Sequence, residues 1–186
     1  MSSDQPVSSA KTLQLRQTWF LAVMAISVVC MFAFVILPYV DRSAQVGSAP
    51  AVDFDVPLLS GGKPGDRVRL SDLKGKTVVL DFWASWCAPC RQQTAALISA
   101  LPRLDSDVYV LGIATSDQRG DAEQHISGLR PPFANAFDEG NRVARAYQVT
   151  SLPTLIVIDP EGHVRVVRSQ VLDADQLVEL LETIKG

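Results

Sequence analysis

The chain has 186 residues, 47% apolar and 20% charged, enough to bury one full core once an N-terminal extension is set aside. Its 17 basic and 20 acidic side chains, less Lys11, Arg16 and Arg42 and less Asp4 and Asp41, leave 14 and 18 beyond residue 42. So mildly acidic a domain has no electrostatic reason to bind nucleic acid, and that class drops out.

Residues 1–18 form a short polar tail. Trp19 to Val40 then runs for 22 residues without a charged side chain, about 33 Å as a helix against a hydrocarbon core of about 30 Å. It reads as a transmembrane anchor, with Trp19 and Tyr39 near its ends and Pro38 in its last turn. Lys11 and Arg16 precede it, while Asp41 and Arg42 nearly cancel after it, so the tail is expected in the cytoplasm and the following domain outside. The competing reading is a cleaved signal peptide with Val46-Gly47-Ser48 as the cut site, but such peptides have apolar cores of about 7 to 15 residues. Cys30 lies inside the run and reads as a small apolar helix residue.

Residues 41–50 are small, polar and irregular, a linker to a domain over 51–186. Ala51 to Leu59 and Arg67 to Leu70 flank the turn signal Ser60-Gly61-Gly62-Lys63-Pro64-Gly65-Asp66, which predicts an N-terminal β-hairpin. Ser71 to Gly75 reads as one helical turn. Thr77 to Trp83 is apolar except for Asp81, the pattern of a strand buried on both faces.

A helix is expected from Cys87 to Leu101, stopped by Pro102. Val108 to Ala114 is a second buried strand. A polar helix near Asp121 to Leu129, a short strand over 132–137 and a helix from Glu139 to Tyr147 follow. Thr154 to Ile158 and His163 to Val171 predict a closing hairpin. Asp173-Ala174-Asp175-Gln176 opens a final helix that places Leu177, Leu180, Leu181 and Ile184 on one face. The alternation predicts an α/β fold with a mixed central sheet flanked by helices.

The chemistry concentrates in Trp86-Cys87-Ala88-Pro89-Cys90, where a buried strand hands over to a helix. Cys87 and Cys90 stand too close to staple distant segments, so the pair reads as reactive rather than structural. A free thiol of pKa about 8.5 is only about 3% thiolate at pH 7, so a reactive cysteine must be tuned. A helix N-terminus favours the anion by about 0.3 to 2 kcal/mol. The Cys90 thiol can add a hydrogen bond. Arg91 adds positive charge if the helix already includes Cys87, and otherwise reads as a solvated side chain. Pro89 costs little in the first turn and stiffens the loop.

The run DFWASWCAPC at Asp81 to Cys90 resembles the thioredoxin superfamily. With the anchor, the hairpin and the helix-strand insert around 121–137, residues 50–186 resemble its TlpA/ResA-like branch of membrane-anchored bacterial thiol-disulfide oxidoreductases. The resemblance implies a thioredoxin-like fold, with Cys87 as the exposed attacking cysteine and Cys90 as the resolving one. It also implies that Pro153, in Ser151-Leu152-Pro153-Thr154, is a cis-proline beside the disulfide, leaving the Leu152 backbone to pair with an extended substrate.

Asp81 matches the buried acid beneath the dithiol. Burial raises a carboxyl pKa and suits it to proton exchange with Cys90, although many members of the branch have a neutral residue there. The bland reading is a hydrogen-bonded strand-end carboxylate. Trp83 and Trp86 are expected to pack around the site, with Trp86 shielding the sulfurs and Ala88 and Pro89 beside it in the substrate surface.

The implied reaction is two thiol-disulfide exchanges with no metal and no organic cofactor beyond the Cys87–Cys90 disulfide. Ala-Pro between the cysteines resembles the Gly-Pro of reducing thioredoxins, which favours a reductant of exported protein disulfides supplied by a transmembrane electron donor. Family substrates suggest cytochrome c or cytochrome oxidase biogenesis, although the loop at Pro153 lacks the Pro-Glu pair of dedicated cytochrome c maturation members.

Two other classes compete. A thiol peroxidase needs P-x-x-x-[ST]-x-x-C, but Leu80 and Ala84 stand at the corresponding positions before Cys87, and Trp83 and Cys87 before Cys90. A copper delivery module is compatible with two soft thiolates. His125, in a polar predicted helix, and His163, at the start of a late strand, both read as surface histidines with nothing in the spacing to bring either to the dithiol.

Overall fold

The computed structural model describes residues 49–185 apart from Pro64, together with Trp19, Met24, Ile26, Ser27 and Met31. The chain divides into two units, Met1–Ser43 and Ala44–Gly186. In the first, the five described positions are helical and exposed. The rest of the expected anchor over 19–40, and most of the linker, lie outside the described residues. No helix among the described residues is long and apolar enough to cross a membrane.

In the second unit eight strands form one sheet in the order β1-β8-β7-β4-β5-β6-β2-β3. They are β1 (Ala49–Pro50), β2 (Asp55–Ser60), β3 (Arg67–Arg69), β4 (Thr77–Trp83), β5 (Val108–Ala114), β6 (Ala134–Phe137), β7 (Thr154–Ile158) and β8 (His163–Arg168). β4, β5 and β6 run parallel, and the remaining pairings are antiparallel. The mixed sheet and the hairpin are those expected, and the fold is thioredoxin-like. β2 also pairs with β6, which joins the hairpin to the insert.

Four α-helices follow the strands: α1 (Ala88–Ala100), α2 (Arg119–Leu129), α3 (Arg142–Ala146) and α4 (Ala174–Lys185). Every residue of β4 is buried because the sheet is covered on both faces. Val78, Leu80 and Phe82 point into a core with Phe54, Val56, Val143 and Ile156. Val79 points the other way, against Leu97 of α1 and Leu177 and Leu181 of α4. Trp83 shares that second face and heads a third cluster, formed with α2, at the carboxyl end of the strand. The start of α4 is a reciprocal cap: Asp173 Oδ1 accepts from Gln176 N at 2.9 Å, and Gln176 Oε1 from Asp173 N at 3.0 Å.

The helix expected over Glu139 to Tyr147 is shorter. Gly140 and Asn141 take left-handed φ of 64° and 56°, leaving a 3₁₀ turn over Glu139–Asn141 before α3. The carboxylate of the buried Asp138 accepts from the N–H groups of Val143 and Ala144, both at 2.9 Å, and so caps α3 from outside the kink.

Candidate active site

The connection Ala84 to Trp86 carries the chain from β4 to α1, and Cys87 is the N-cap residue. It keeps an extended backbone (φ −82°, ψ 100°), and its Sγ accepts the backbone N–H of Cys90 at 3.2 Å. Ala88 and Pro89 occupy the first two helical positions, where Pro89 removes no intrahelical bond. Cys87 and Cys90 form a disulfide, their Cα atoms 5.3 Å apart. The pair thus sits at the positive end of a 13-residue helix.

The helix begins after Cys87, so the condition for Arg91 to lie one turn above it within the helix is not met. At His125, burial lowers the pKa and the Arg91 charge lowers it further. The first cysteine is also not the exposed one that the resemblance implies. Cys87 is 3% and Cys90 2% exposed. The N-cap geometry turns the Cys87 sulfur toward the helix, and Trp83, Ala84, Ala114, Ala122, Ile126 and Phe137 close around the pair. Solvent meets the site at Trp86, Ala88 and Pro89.

Trp83 packs around the site as expected, but it, and not Trp86, shields the sulfurs. Trp83, 2% exposed, packs with both cysteines, whereas Trp86 is 63% exposed at the rim. The Trp86 indole N–H donates to the Ser116 carbonyl at 2.9 Å, which fixes its orientation. Next to it, Ser85 donates its backbone N–H and its hydroxyl to the Asp117 carboxylate, at 2.5 and 2.9 Å. Ser116 itself has a left-handed φ of 53°, and its N–H donates to Asn141 Oδ1 at 2.7 Å.

Ser85, Ser116, Asp117 and Asn141 are thus parts of the site that the sequence reading did not single out. For Ser116 and Asp117 the signal was the polar run Thr115-Ser116-Asp117, placed where β5 ends beside the carboxyl end of the parallel β4, the usual position of a site in such sheets.

The Leu152–Pro153 peptide bond is cis, and Leu152 packs against the cluster that holds the sulfurs. The structure therefore brings Cys87, Cys90, Leu152 and Pro153 to one end of the sheet. Asp81 lies two residues below Trp83 on the same face of β4, opposite Gly112 on β5 and Leu155 on β7. It is 1% exposed and neither carboxylate oxygen has a hydrogen-bond partner. That is not the hydrogen-bonded strand-end carboxylate of the bland reading. Burial pushes its pKa up to about 7.

His125 departs from expectation as well. It is half-buried, and its ring lies on Trp83 with centroids 5.3 Å apart and planes tilted by 34°. The spacing of α2 gives the reason: Ala122 and Ile126 are drawn into the dithiol cluster, and His125, three residues past Ala122, flanks them on the same side of the helix. His163 stands near Asp159, 3.6 Å from its carboxylate. Among the described residues no group of three or more His, Cys, Asp or Glu is arranged to hold a metal ion.

Residues 48–167 match the model of the AhpC/TSA family. The chain belongs to that family. Within it, this member is similar to the thiol-disulfide oxidoreductase ResA of Bacillus subtilis (strain 168), 30% identical over 122 residues that cover 65% of this chain and 68% of the relative. It is also similar to the thiol:disulfide interchange protein DsbE of Xylella fastidiosa (strain 9a5c), 36% identical over 126 residues, 67% of this chain and 61% of the relative. Among solved structures, a DsbE-type thiol:disulfide interchange protein from Chlorobium tepidum superposes with a TM-score of 0.65 at 32% identity, covering 74% of this chain and 95% of that one. This AhpC/TSA member is a thiol-disulfide oxidoreductase of the ResA/DsbE type, and its Cys87–Cys90 pair fits a redox dithiol.

Proposed function

We propose that this oxidoreductase is a membrane-anchored reductant of exported protein disulfides, working outside the cytoplasm in cytochrome c or cytochrome oxidase assembly. The observation that carries the chemistry is Cys87 at the N-cap of α1 with the Cys90 N–H on its sulfur. In the reduced protein that N–H and the helix N-terminus stabilise a Cys87 thiolate. The thiolate attacks a substrate disulfide and forms a mixed disulfide, expelling one substrate thiolate. Cys90 then loses its proton and attacks the Cys87 sulfur, releasing the second substrate thiolate and restoring the Cys87–Cys90 disulfide.

Asp81, buried with a pKa near 7, suits the proton transfer from Cys90 at neutral pH. The rim of Trp86, Ala88 and Pro89 and the Leu152–Pro153 loop form the substrate surface, with the Leu152 backbone pairing with an extended segment. The charge-free run from Trp19 to Val40 and the basic residues before it support the anchor and an outward-facing domain. Each turnover oxidises the dithiol, so a reducing dithiol on a membrane-spanning donor must return two electrons.

Trapping in cells tests this reading. Cys90→Ser leaves the mixed disulfide on Cys87 unresolved, and mass spectrometry of the adducts is expected to find exported proteins, haem-binding or copper-binding apoproteins among them. Adducts restricted to cytoplasmic proteins, or none, would overturn it.

A further inference from the structure

The reaction uses no histidine, yet His125 is built into the wall of the dithiol site. Its ring lies on Trp83, which shares one apolar cluster with Cys87 and Cys90, and its helix neighbours Ala122 and Ile126 complete that cluster. We propose that His125 is a positioning residue for charge at the dithiol: through its seat on Trp83 it is the basic group that gains a proton when the Cys87–Cys90 disulfide is reduced. The inference rests on Cys87 carrying the thiolate.

The groups around His125 frame the effect. Arg91 faces it from α1 and Asp117 from the β5–α2 connection. Glu123 and Arg119 pair with each other on its own helix at 3.5 Å, and Arg119 also covers Phe137 at 4.8 Å. Asp81 stands two residues before Trp83 on β4. In the disulfide form the pair carries no charge, and burial and then Arg91 hold the imidazole below its ordinary pKa, with Asp117 opposing them.

Reduction changes the balance. A reducing dithiol gives up two electrons and two protons and becomes a disulfide. The Cys87–Cys90 bond breaks, one proton stays on Cys90, Cys87 becomes a thiolate, and the second proton goes to the free ring nitrogen of His125. An anion at Cys87, inside the buried apolar cluster that Trp83 shares with it, favours the imidazolium on the ring that lies on Trp83. By reciprocity the imidazolium favours the thiolate.

The test follows both histidines by NMR titration in the oxidised protein, the reduced protein and reduced Cys87→Ser. His163, the other histidine of the chain, lies beside Asp159 at the Val78 end of the sheet and serves as the internal reference. The His125 titration is expected to move up by about 0.5 pH unit or more on reduction of the wild type, a discounted nearby-charge shift. It is expected to stay at its oxidised position in Cys87→Ser. A second variant, His125→Phe, keeps an aromatic ring on Trp83 but cannot take a proton, and is expected to raise the Cys87 thiolate pKa read by ultraviolet absorbance. An unmoved His125 titration, a shift that persists in Cys87→Ser, or a Cys87 titration unchanged in His125→Phe would overturn the proposal. The underlying assignment of the thiolate is read separately: iodoacetamide that alkylates Cys90 in preference to Cys87 in the reduced protein refutes that assignment.

Discussion

The backbone N–H of Cys90 donates to the sulfur of Cys87 across 3.2 Å, so the proposed attacking atom is also the N-cap of the helix that carries its partner. One geometry therefore serves two ends. It supplies a hydrogen bond to a sulfur anion, and it satisfies one of the four N–H groups that every helix start leaves without an intrahelical acceptor.

That double use separates chemistry from folding in two variants. Cys87→Ser keeps an oxygen acceptor at the N-cap and is expected to fold with a melting temperature close to that of the reduced wild type, while insulin disulfide reduction falls to the uncatalysed baseline. Cys87→Ala loses the cap as well and is expected to cost about 0.5–2 kcal/mol more in urea unfolding. Residual turnover in Cys87→Ser would contradict the assignment of the nucleophile.

Asp81 makes stability depend on pH in a direction opposite to that of ordinary surface carboxylates. In the unfolded chain it loses its proton near pH 4, whereas in the folded protein it holds it to about 7. The folded state binds more protons across that window, so the Asp81 contribution to stability is complete below pH 4, falls as the pH rises, and levels off above 7 at a loss of a few kcal/mol. Asp55 works the other way, since hydrogen bonds from Arg67 and Arg69 lower its pKa. The difference between wild type and Asp81→Asn isolates Asp81: urea midpoints are expected to diverge in favour of the variant between pH 4.5 and 8. Parallel midpoints would show that Asp81 titrates as an ordinary carboxylate.

The fold and the dithiol were largely legible in the chain because local signals agreed. Thr77 to Trp83 and Thr154 to Ile158 are apolar runs too short for helices, Asp173 and Gln176 mark a cap, and the dithiol lies where strand meets helix. What was hidden depended on contacts between distant segments. Nothing near Trp86 in sequence announces that Ser116, 30 residues on, accepts its indole proton. His125 read as a surface residue because α2 is mostly polar, and only the burial of Ala122 and Ile126 decides which side of that helix faces the site. The choice between Trp83 and Trp86 as the shield likewise turned on strand alternation, which points Trp83 inward with Val79.

The clamp on the loop before the dithiol gives a third expectation. Asp117 accepts both Ser85 donors and so holds the turn that places Trp86 and Cys87. Asp117→Ala leaves the Ser85 N–H without its carboxylate, a loss of about 1–3 kcal/mol for a buried donor and less at this half-buried site. The loosened loop is expected to slow insulin reduction by about three- to tenfold, the equivalent of roughly 1 kcal/mol in the barrier. Asp117→Asn keeps one acceptor oxygen and is expected to recover most of the rate. Equal rates in all three proteins would show that the clamp does not position the site.

Gly112 sits on β5 between Asp81 on β4 and Asn135 on β6, beneath the indole of Trp83. A Cβ at this position would lie 3.0 Å from Trp83 Nε1 and would overlap the Asn135 side chain. Neither neighbour yields freely. Asn135 is 1% exposed and holds the Phe133 carbonyl through its amide at 3.1 Å, and Trp83 is wedged among the cysteines and α2. Gly112→Ala adds one methyl group to a packed interior and is expected to destabilise the domain by about 1–3 kcal/mol, read as a lower urea midpoint at unchanged slope. Because the displaced ring is the one that packs on the sulfurs and on His125, the same variant is expected to move the His125 NMR signals more than those of His163. A shift in stability without that asymmetry would place the strain on Asn135 instead of Trp83.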